Sequence, residues 1–207
     1  TMEAKKMTTI TFKVEVANES HAGFAQTLVD MMYEAAQKRG TGISRRSPEY
    51  VVTKMIEGKG VIATDGDMVI GFCYIETWGH GKYVANSGLI VHEDYRGGGL
   101  ARAIKQAAFG LSREKYPDAR IFGLTTSLAV MKINSELGYR PVTFSELTDD
   151  EVFWKGCQSC VNHDILQRTE RKHCLCTGML FDPGWEKKKA ALEEKKNGSG
   201  SETHYWV

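Results

Sequence analysis

The chain is nearly without net charge. Its 27 lysines and arginines against 26 aspartates and glutamates leave a formal +1. That removes any global electrostatic case for a nucleic acid or an anionic membrane as partner, because such ligands are drawn by a strong basic excess. Long apolar runs are missing too, and none approaches the roughly 20 residues that a membrane-spanning helix needs. The opening residues, TMEAKKMTTITF, lack the apolar core of a secretory signal. A cytoplasmic protein is the expectation. Cysteine is sparse and odd in number, five in all, which suits reduced thiols better than a secreted disulfide framework. There is no internal repeat. What is present, 207 residues of which 42% are hydrophobic and 26% charged, suits one globular domain with a sizeable core, or such a domain with an appendage.

Two periodicities alternate along the chain. Ile10 to Val16 alternate apolar and polar residues, as a half-buried strand does. Ser20 suits a helix cap, and Phe24, Leu28, Met31, Met32 and Ala35 then share one helical face up to Gly40 and Gly42. Ser47-Pro48-Glu49 opens a second helix. GVIATDGDMVIGFCYIETW reads as two strands joined at Asp65-Gly66, a hairpin signal. YVANSGLIV is a strand with an apolar end, expected to be buried on both faces. After a glycine run, Leu100, Ile104, Ala107, Ala108 and Leu111 form the stripe of a helix closed by Pro117. ARIFGLTT is then a strand, SLAVMKINSELG a helix, and YRPVTFSEL a short strand. LTDDEVFWKGC reads as a helix with Thr148 as cap and Glu151 three residues on. RKHCLCTGMLFD reads as a final strand, and a charged helix candidate with a Gly/Ser segment follows. Strands alternate with helices, yet hairpins occur too, which makes a mixed-sheet α/β domain.

The chemistry is densest at Arg96-Gly97-Gly98-Gly99-Leu100-Ala101. A strand, a glycine-rich turn and a helix N-terminus form an anion site, because the first helical N–H groups have no partner in the helix and the dipole is positive there. A plain strand-to-helix turn is the alternative. There is no Gly-Lys-Ser/Thr as in a Walker loop. There is also no G-x-G-x-x-G followed by a strand ending in an acid, which makes a dinucleotide fold a poor fit.

Arg96 to Ala101 matches R-x-x-G-x-A, and here the sequence resembles the GNAT (Gcn5-related) acyltransferases. The hairpin, the strand NSGLIV, the loop HEDYRGGGLA and the later helix ending ELGYRPV agree with that family over residues 9 to 145. The resemblance implies the GNAT fold, a splayed mixed β-sheet flanked by helices, with a cleft for the pantetheine arm of acetyl-CoA or another short acyl-CoA. It implies that Arg96, Gly97, Gly98, Gly99, Leu100 and Ala101 line the pyrophosphate. Leu89, Ile90 and Val91 would lie along the cofactor, with the Val91 backbone at the thioester carbonyl. Residues 8–183 would form a single acyltransferase domain with a Cys-rich extension at 148–183, and 184–207 a charged, flexible tail. In the family a tyrosine commonly protonates the leaving thiolate; Asn134 stands in its slot and Ser127 in that of a preceding asparagine. Asn134 cannot donate an acidic proton, and Ser135 or a water could substitute.

An amine acceptor must lose a proton to a base. Glu76 is the first candidate, followed by His80 and Tyr83; His92 and Glu93 are expected at the surface. Arg39, Arg45 and Arg46 cluster where GNAT proteins place the acceptor lid, and arginine forks match carboxylates; Arg45 or Arg46 could instead meet the 3′-phosphate of the cofactor. As a whole, through RGTGI, ANSGLIV, FGLTT, MKINSELGY and RKHCLCTGML, the chain is similar to short GNAT proteins found with bacterial arginine-biosynthesis genes. That likeness implies acetyl or succinyl transfer to a small amine, with glutamate leading. A non-catalytic acyl-CoA-binding module and a zinc-stabilised interaction protein are the alternatives. The last rests on Cys157, Cys160, Cys174 and Cys176, whose C-x-x-C and C-x-C spacing resembles a four-thiolate structural zinc site; buried thiols on a strand face are the other reading. A homodimer is left open.

Overall fold

The computed structural model describes residues 12–40 and 45–198. Residues 10 and 11 of the expected first strand, the segment around Gly42 and the Gly/Ser segment at 199–207 lie outside them. Seven strands form one mixed sheet in the order β1-β2-β3-β4-β5-β7-β6. They are β1 (Lys13–Val16), β2 (Gly60–Asp65), β3 (Met68–Trp78), β4 (Tyr83–Val91), β5 (Arg120–Thr125), β6 (Arg140–Val142) and β7 (Thr177–Phe181). The helices are α1 (Ala25–Arg39), α2 (Pro48–Ile56), α3 (Leu100–Lys115), α4 (Leu128–Glu136), α5 (Glu151–Lys155), α6 (His163–Arg168) and α7 (Pro183–Gly198). The expected mixed sheet flanked by helices is what the chain forms.

Local chemistry explains most boundaries. Ser47 Oγ accepts from Tyr50 N at 3.2 Å, and Pro48 opens α2 with no amide to leave unpaired. Gly66, at φ 56°, makes the β2–β3 turn. Three expectations need correction. Ahead of α1 the cap is Asn18, not Ser20: its side chain accepts from Ser20 N at 2.9 Å and starts a 3-10 turn over Glu19–Phe24. At α5 the cap is Asp150, accepting from Val152 N at 3.0 Å, while Thr148 is buried and accepts from Asp150 N. The last strand begins only at Thr177, so Cys174 and Cys176 lie in irregular chain before it rather than on a strand face.

The two faces of the sheet carry different layers. On one, α3 packs Leu100, Ile104, Ala108 and Leu111 against Val61, Cys73, Ile75, Val84 and Ile121. On the other, α1 and α2 bring Leu28, Met32, Val51 and Met55 to Ile62, Phe72 and Tyr74. Ala85 and Phe122 continue that second face under Phe144, Leu147, Trp154 and Leu166 of the C-terminal extension. Cross-strand partners share a face, so Glu76, opposite Ala85, lies on the α1/α2 side.

β4 and β5 are parallel, and they pair only from Tyr83 to Ala85 against Arg120 to Phe122. Beyond that they part, which is why residues 86–89 of an apolar-looking strand are only half-buried. β4 is also bulged. Phe72 opposes Ile90 but Tyr74 opposes Ser87, so three steps of β4 face two of β3. Gly88 sits in the bulge at φ 64°, and a Cβ there would come within 2.5 Å of Tyr74 Cε1. Gly88→Ala is therefore expected to lower folding stability by about 1–3 kcal/mol from strain and overpacking. A urea titration reads this as a lower midpoint; an unchanged midpoint would show that the bulge tolerates a side chain.

Candidate active site

β4 ends at Val91 and a 3-10 turn, Glu93–Tyr95, leads into the glycines. Gly97 and Gly99 have φ of 82° and 84°, and a Cβ at either would meet nothing within 4 Å. The backbone conformation, not lack of room, calls for glycine there, and the open side is where an anion can approach. No side chain caps α3, so its first N–H groups face out of the loop. Arg96 Nε donates to Val91 O at 3.2 Å and Tyr95 Oη to Asp65 Oδ2 at 2.5 Å, which pins the loop from both ends. Arg39, at the end of α1, is close by: partial burial and then the Arg96 charge lower its pKa below the usual arginine value. An anion at the loop would relieve two neighbouring cations. Arg96 through Ala101 thus form one continuous turn-and-helix start, with Leu100 buried beneath it.

Where β4 and β5 part, a cleft of ≈ 710 Å³ opens. Its lining comes from both faces of the sheet, so it passes through the sheet. On the α1/α2 side stand Arg46, Tyr50, Glu76 and Trp78, faced by Phe153, Trp154 and Cys157 of the extension. On the α3 side stand Asn86, Lys105 and Asn134. Among the described residues two buried side-chain polar atoms have no partner, Trp78 Nε1 and Asn134 Oδ1. Both residues line this cleft, and unpaired buried polar groups are costly unless something else satisfies them.

Glu76 is held by its neighbours. Tyr50 donates its hydroxyl to Oε2, and Lys54 Nζ lies 3.6 Å from Oε1. Burial and the Glu76 hydrogen bond push the Tyr50 phenol far above its ordinary range, so it stays protonated. Arg46 Nε donates to Tyr74 Oη at 2.6 Å, and its guanidinium lies 5.5 Å from the Tyr50 ring centre. Arg45 stacks over Tyr33 at 4.9 Å. All three arginines line the cleft, with Arg39 toward the glycine loop and Arg46 toward Glu76. Asn134 is 1% exposed, and its Nδ2 faces Met179 Sδ at 3.7 Å.

Other candidates are not brought to the cleft. Tyr83 stands at the far end of β4, accepting from Arg120 Nη1 at 3.2 Å, and is no part of the cleft wall. A strand repeats every two residues, so it can put Tyr83 on the same face as Ala85 and still leave it some 7 Å further along. His80 is exposed in the tight β3–β4 turn at φ 55°. Ser135 points to solvent beside buried Asn134. His92 is half-buried, and Glu93 is exposed and ion-paired to Lys38. Leu89, Ile90 and Val91 run from the bulge to the glycine loop; Leu89 lines the cleft, while Ile90 and Val91 turn into the two cores.

Cys157, Cys160, Cys174 and Cys176 all line one wall of the cleft. Asn162 N donates to Cys160 Sγ at 3.4 Å, and Cys174 Sγ faces Asn162 O at 3.9 Å. Burial, reinforced by the three neighbouring thiols, pushes Cys176 up to about 12. Among the described residues, however, no three His, Cys, Asp or Glu side chains are arranged to hold a metal. Burial raises the Cys157 and Cys176 thiols, and the expected zinc site finds no support among the described residues.

Pattern reading passed over Tyr50, Lys54, Tyr74, Asn86 and Lys105. Tyr50 and Lys54 are spaced i, i+4 on α2, a visible signal, and Lys105 adjoins the apolar stripe of α3. Asn86 carried no mark, because its role depends on where β4 and β5 part.

An acetyltransferase (GNAT) family model matches residues 29–129. No curated protein matches the sequence. N-acetylglutamate synthase from Neisseria gonorrhoeae, solved with coenzyme A and N-acetyl-glutamate, has a similar structure, with a TM-score of 0.59 at 15% identity over 83% of this chain and 35% of that one. This chain therefore spans about a third of that enzyme's length. YncA of Salmonella typhimurium, solved with its cofactor acetyl-CoA, is similar at a TM-score of 0.56 and 12% identity over 84% and 94%. The ribosomal-protein-S18-alanine N-acetyltransferase of Escherichia coli is similar at 0.51 and 9% over 95% and 100%. Such distant likenesses show a shared fold and leave the acceptor open. No described helix is long and apolar enough to cross a membrane. The family match runs across the strand, loop and helix that build the anion site, and over residues 29–129 the chain matches the GNAT family of acetyltransferases.

Proposed function

We propose that this protein transfers a short acyl group, acetyl or a relative such as succinyl, from CoA to the amine of a small carboxylate-bearing substrate, with glutamate as the leading acceptor. Arg46 carries the reading. It reaches the cleft fixed through Tyr74, drawn by the Glu76 charge but in no close ion pair with a carboxylate among the described residues. A guanidinium so placed suits the carboxylate of an incoming substrate. Arg39 joins Arg96 in drawing the phosphates to the glycine loop, and the N–H groups at the head of α3 hold the pyrophosphate.

The residues divide the work by face. Arg46 and the aromatic wall would orient the amine on the α1/α2 side. Glu76 would take its proton, directly or through the Tyr50 hydroxyl. The bulge at Gly88 breaks the β3–β4 ladder beside the cleft, and strand N–H groups freed there would meet the oxygen that becomes negative at the carbonyl. In this reading residues 8–183 act as one domain, and the extension from 148 closes the acceptor end to a small molecule. The N-acetylglutamate synthase among the similar structures and the carboxylate-binding arginine support glutamate, which would place the enzyme in arginine biosynthesis in the cytoplasm.

Free-thiol release from acetyl-CoA and succinyl-CoA, screened over amino acids, should show turnover with glutamate or another acidic amino acid. Turnover only with a polyamine or a protein lysine would sink the acceptor reading. Arg46→Leu should raise KM for the amine about 10- to 100-fold, the value of a charge-assisted hydrogen bond, and leave KM for acyl-CoA nearly unchanged. Gly99→Val should do the reverse, since the strained turn would no longer present the α3 amides; steady-state kinetics in both substrates separates the two.

A further inference from the structure

Lys105 is a charged group in the cleft for which the transfer described so far has no use. It is 3% exposed, on the α3 side of the sheet. Its Nζ donates to Asn86 Oδ1 at 3.2 Å, and the same oxygen accepts from Tyr139 Oη at 3.0 Å. Asn86 Nδ2 donates to Ser112 Oγ at 2.8 Å, which fixes the amide's orientation. The titratable groups that face Lys105 are Cys73 from β3 and Tyr139 ahead of β6. Burial pushes Cys73 up to about 11 and Tyr139 well above its usual value, so both are neutral near pH 7. No described carboxylate forms an ion pair with Lys105. An ammonium without a counter-charge in such a place is costly, and a group kept at that cost invites the question of what neutralises it.

The reaction makes one anion on that side. In the proposed transfer the cofactor is anchored at the head of α3, and its arm enters the gap between β4 and β5 from there. The amine arrives from the opposite face, beside Glu76. Sulfur therefore departs toward the α3 side, where the neighbouring polar residues are Asn86, Asn134 and Lys105. Asn134 cannot supply an acidic proton. We propose that Lys105 is the proton donor to the departing CoA thiolate, filling the role for which position 134 has no acid.

The step balances as follows. The amine nitrogen forms the C–N bond, the C–S bond breaks, and its electron pair stays on sulfur. One Lys105 N–H proton passes to that sulfur, leaving CoA thiol and a neutral lysine, which regains a proton from solvent after product release. The proton lost by the amine goes separately to Glu76. Burial lowers Lys105 to about 8, near the roughly 8.5 of an ordinary thiol, so the transfer is close to balanced in energy.

This inference rests on the acyl-transfer reading, and Lys105→Met tests it in the full chain with the acyl-CoA and amine that the thiol-release screen identifies. The variant should lose about a hundredfold in kcat and keep KM for acyl-CoA within about twofold. Its thermal midpoint should equal or exceed the wild type's, because an unpaired buried charge is gone; a lysine with a merely structural role would lower it. A donor must be protonated, so wild-type kcat should fall as pH rises through about 8, and the variant should lack that limb. A variant kcat within about threefold of wild type, or a limb that survives the substitution, would overturn the proposal. Should the variant fail to fold, the wild-type profile decides alone: a kcat flat from about pH 7 to 10 excludes Lys105 as donor. A wild type that turns over no acyl-CoA overturns the transfer reading itself.

Discussion

The early parting of β4 and β5 is the constraint on which the rest depends. Three residue pairs hold the strands together, and beyond Ala85 and Phe122 their facing backbone groups have no ladder to complete. Such groups must find other partners, since buried amides and carbonyls are seldom left alone. A sheet opened in its middle needs layers on both sides to stay folded. α3 supplies one, and α2 with the C-terminal extension supplies the other. Everything with chemistry to do, from Asn86 to Trp78, borders that gap.

The near-neutral chain hides a lopsided interior. Positive groups gather around the gap, with Arg39 and Arg96 at one end, Arg46 at another and Lys105 beneath. Negative groups are spread over the surface or tied up, as Glu76 is by Lys54 and Tyr50. Net charge measures how a protein meets the solvent; the field inside a cleft depends on where a handful of charges are buried. Attraction for a polyanionic cofactor and an acidic acceptor can thus coexist with a formal charge of +1.

How much of this could be read from the residues differs by scale. The glycine loop was legible because its signal is local, a strand, a turn and a helix start in ten residues. The β2–β3 hairpin and the Ser47-Pro48 start of α2 were legible for the same reason. Caps were misplaced where two candidates compete within two residues, as with Asn18 against Ser20 and Asp150 against Thr148. There the choice falls to tertiary contacts, such as the bond from Gly79 N to Asp150 Oδ2 at 3.1 Å. Tyr83 was a base candidate after Glu76 and His80, and sequence proximity does not reveal which end of a strand meets the gap. Lys105 carries no mark in the sequence beyond adjoining an amphipathic stripe. Only its burial, its bond to Asn86 and the Tyr139 ring beside it set it apart.

The bulge at Gly88 joins matters that the sequence keeps far apart. Tyr74 fills the space a side chain at 88 would take, and its hydroxyl also accepts the Arg46 hydrogen bond. One phenol thus touches both the strand segment and the guanidinium to which the proposed transfer assigns the thioester and the acceptor. Because the gap runs through the sheet, the proposed transfer would give its two substrates separate doors, one per face. Neither has to leave before the other enters, so both can be present at once and the acyl group need never rest on the protein. In the proposed transfer the protein is a meeting place rather than a relay, with Tyr74 as the strut between its two sides.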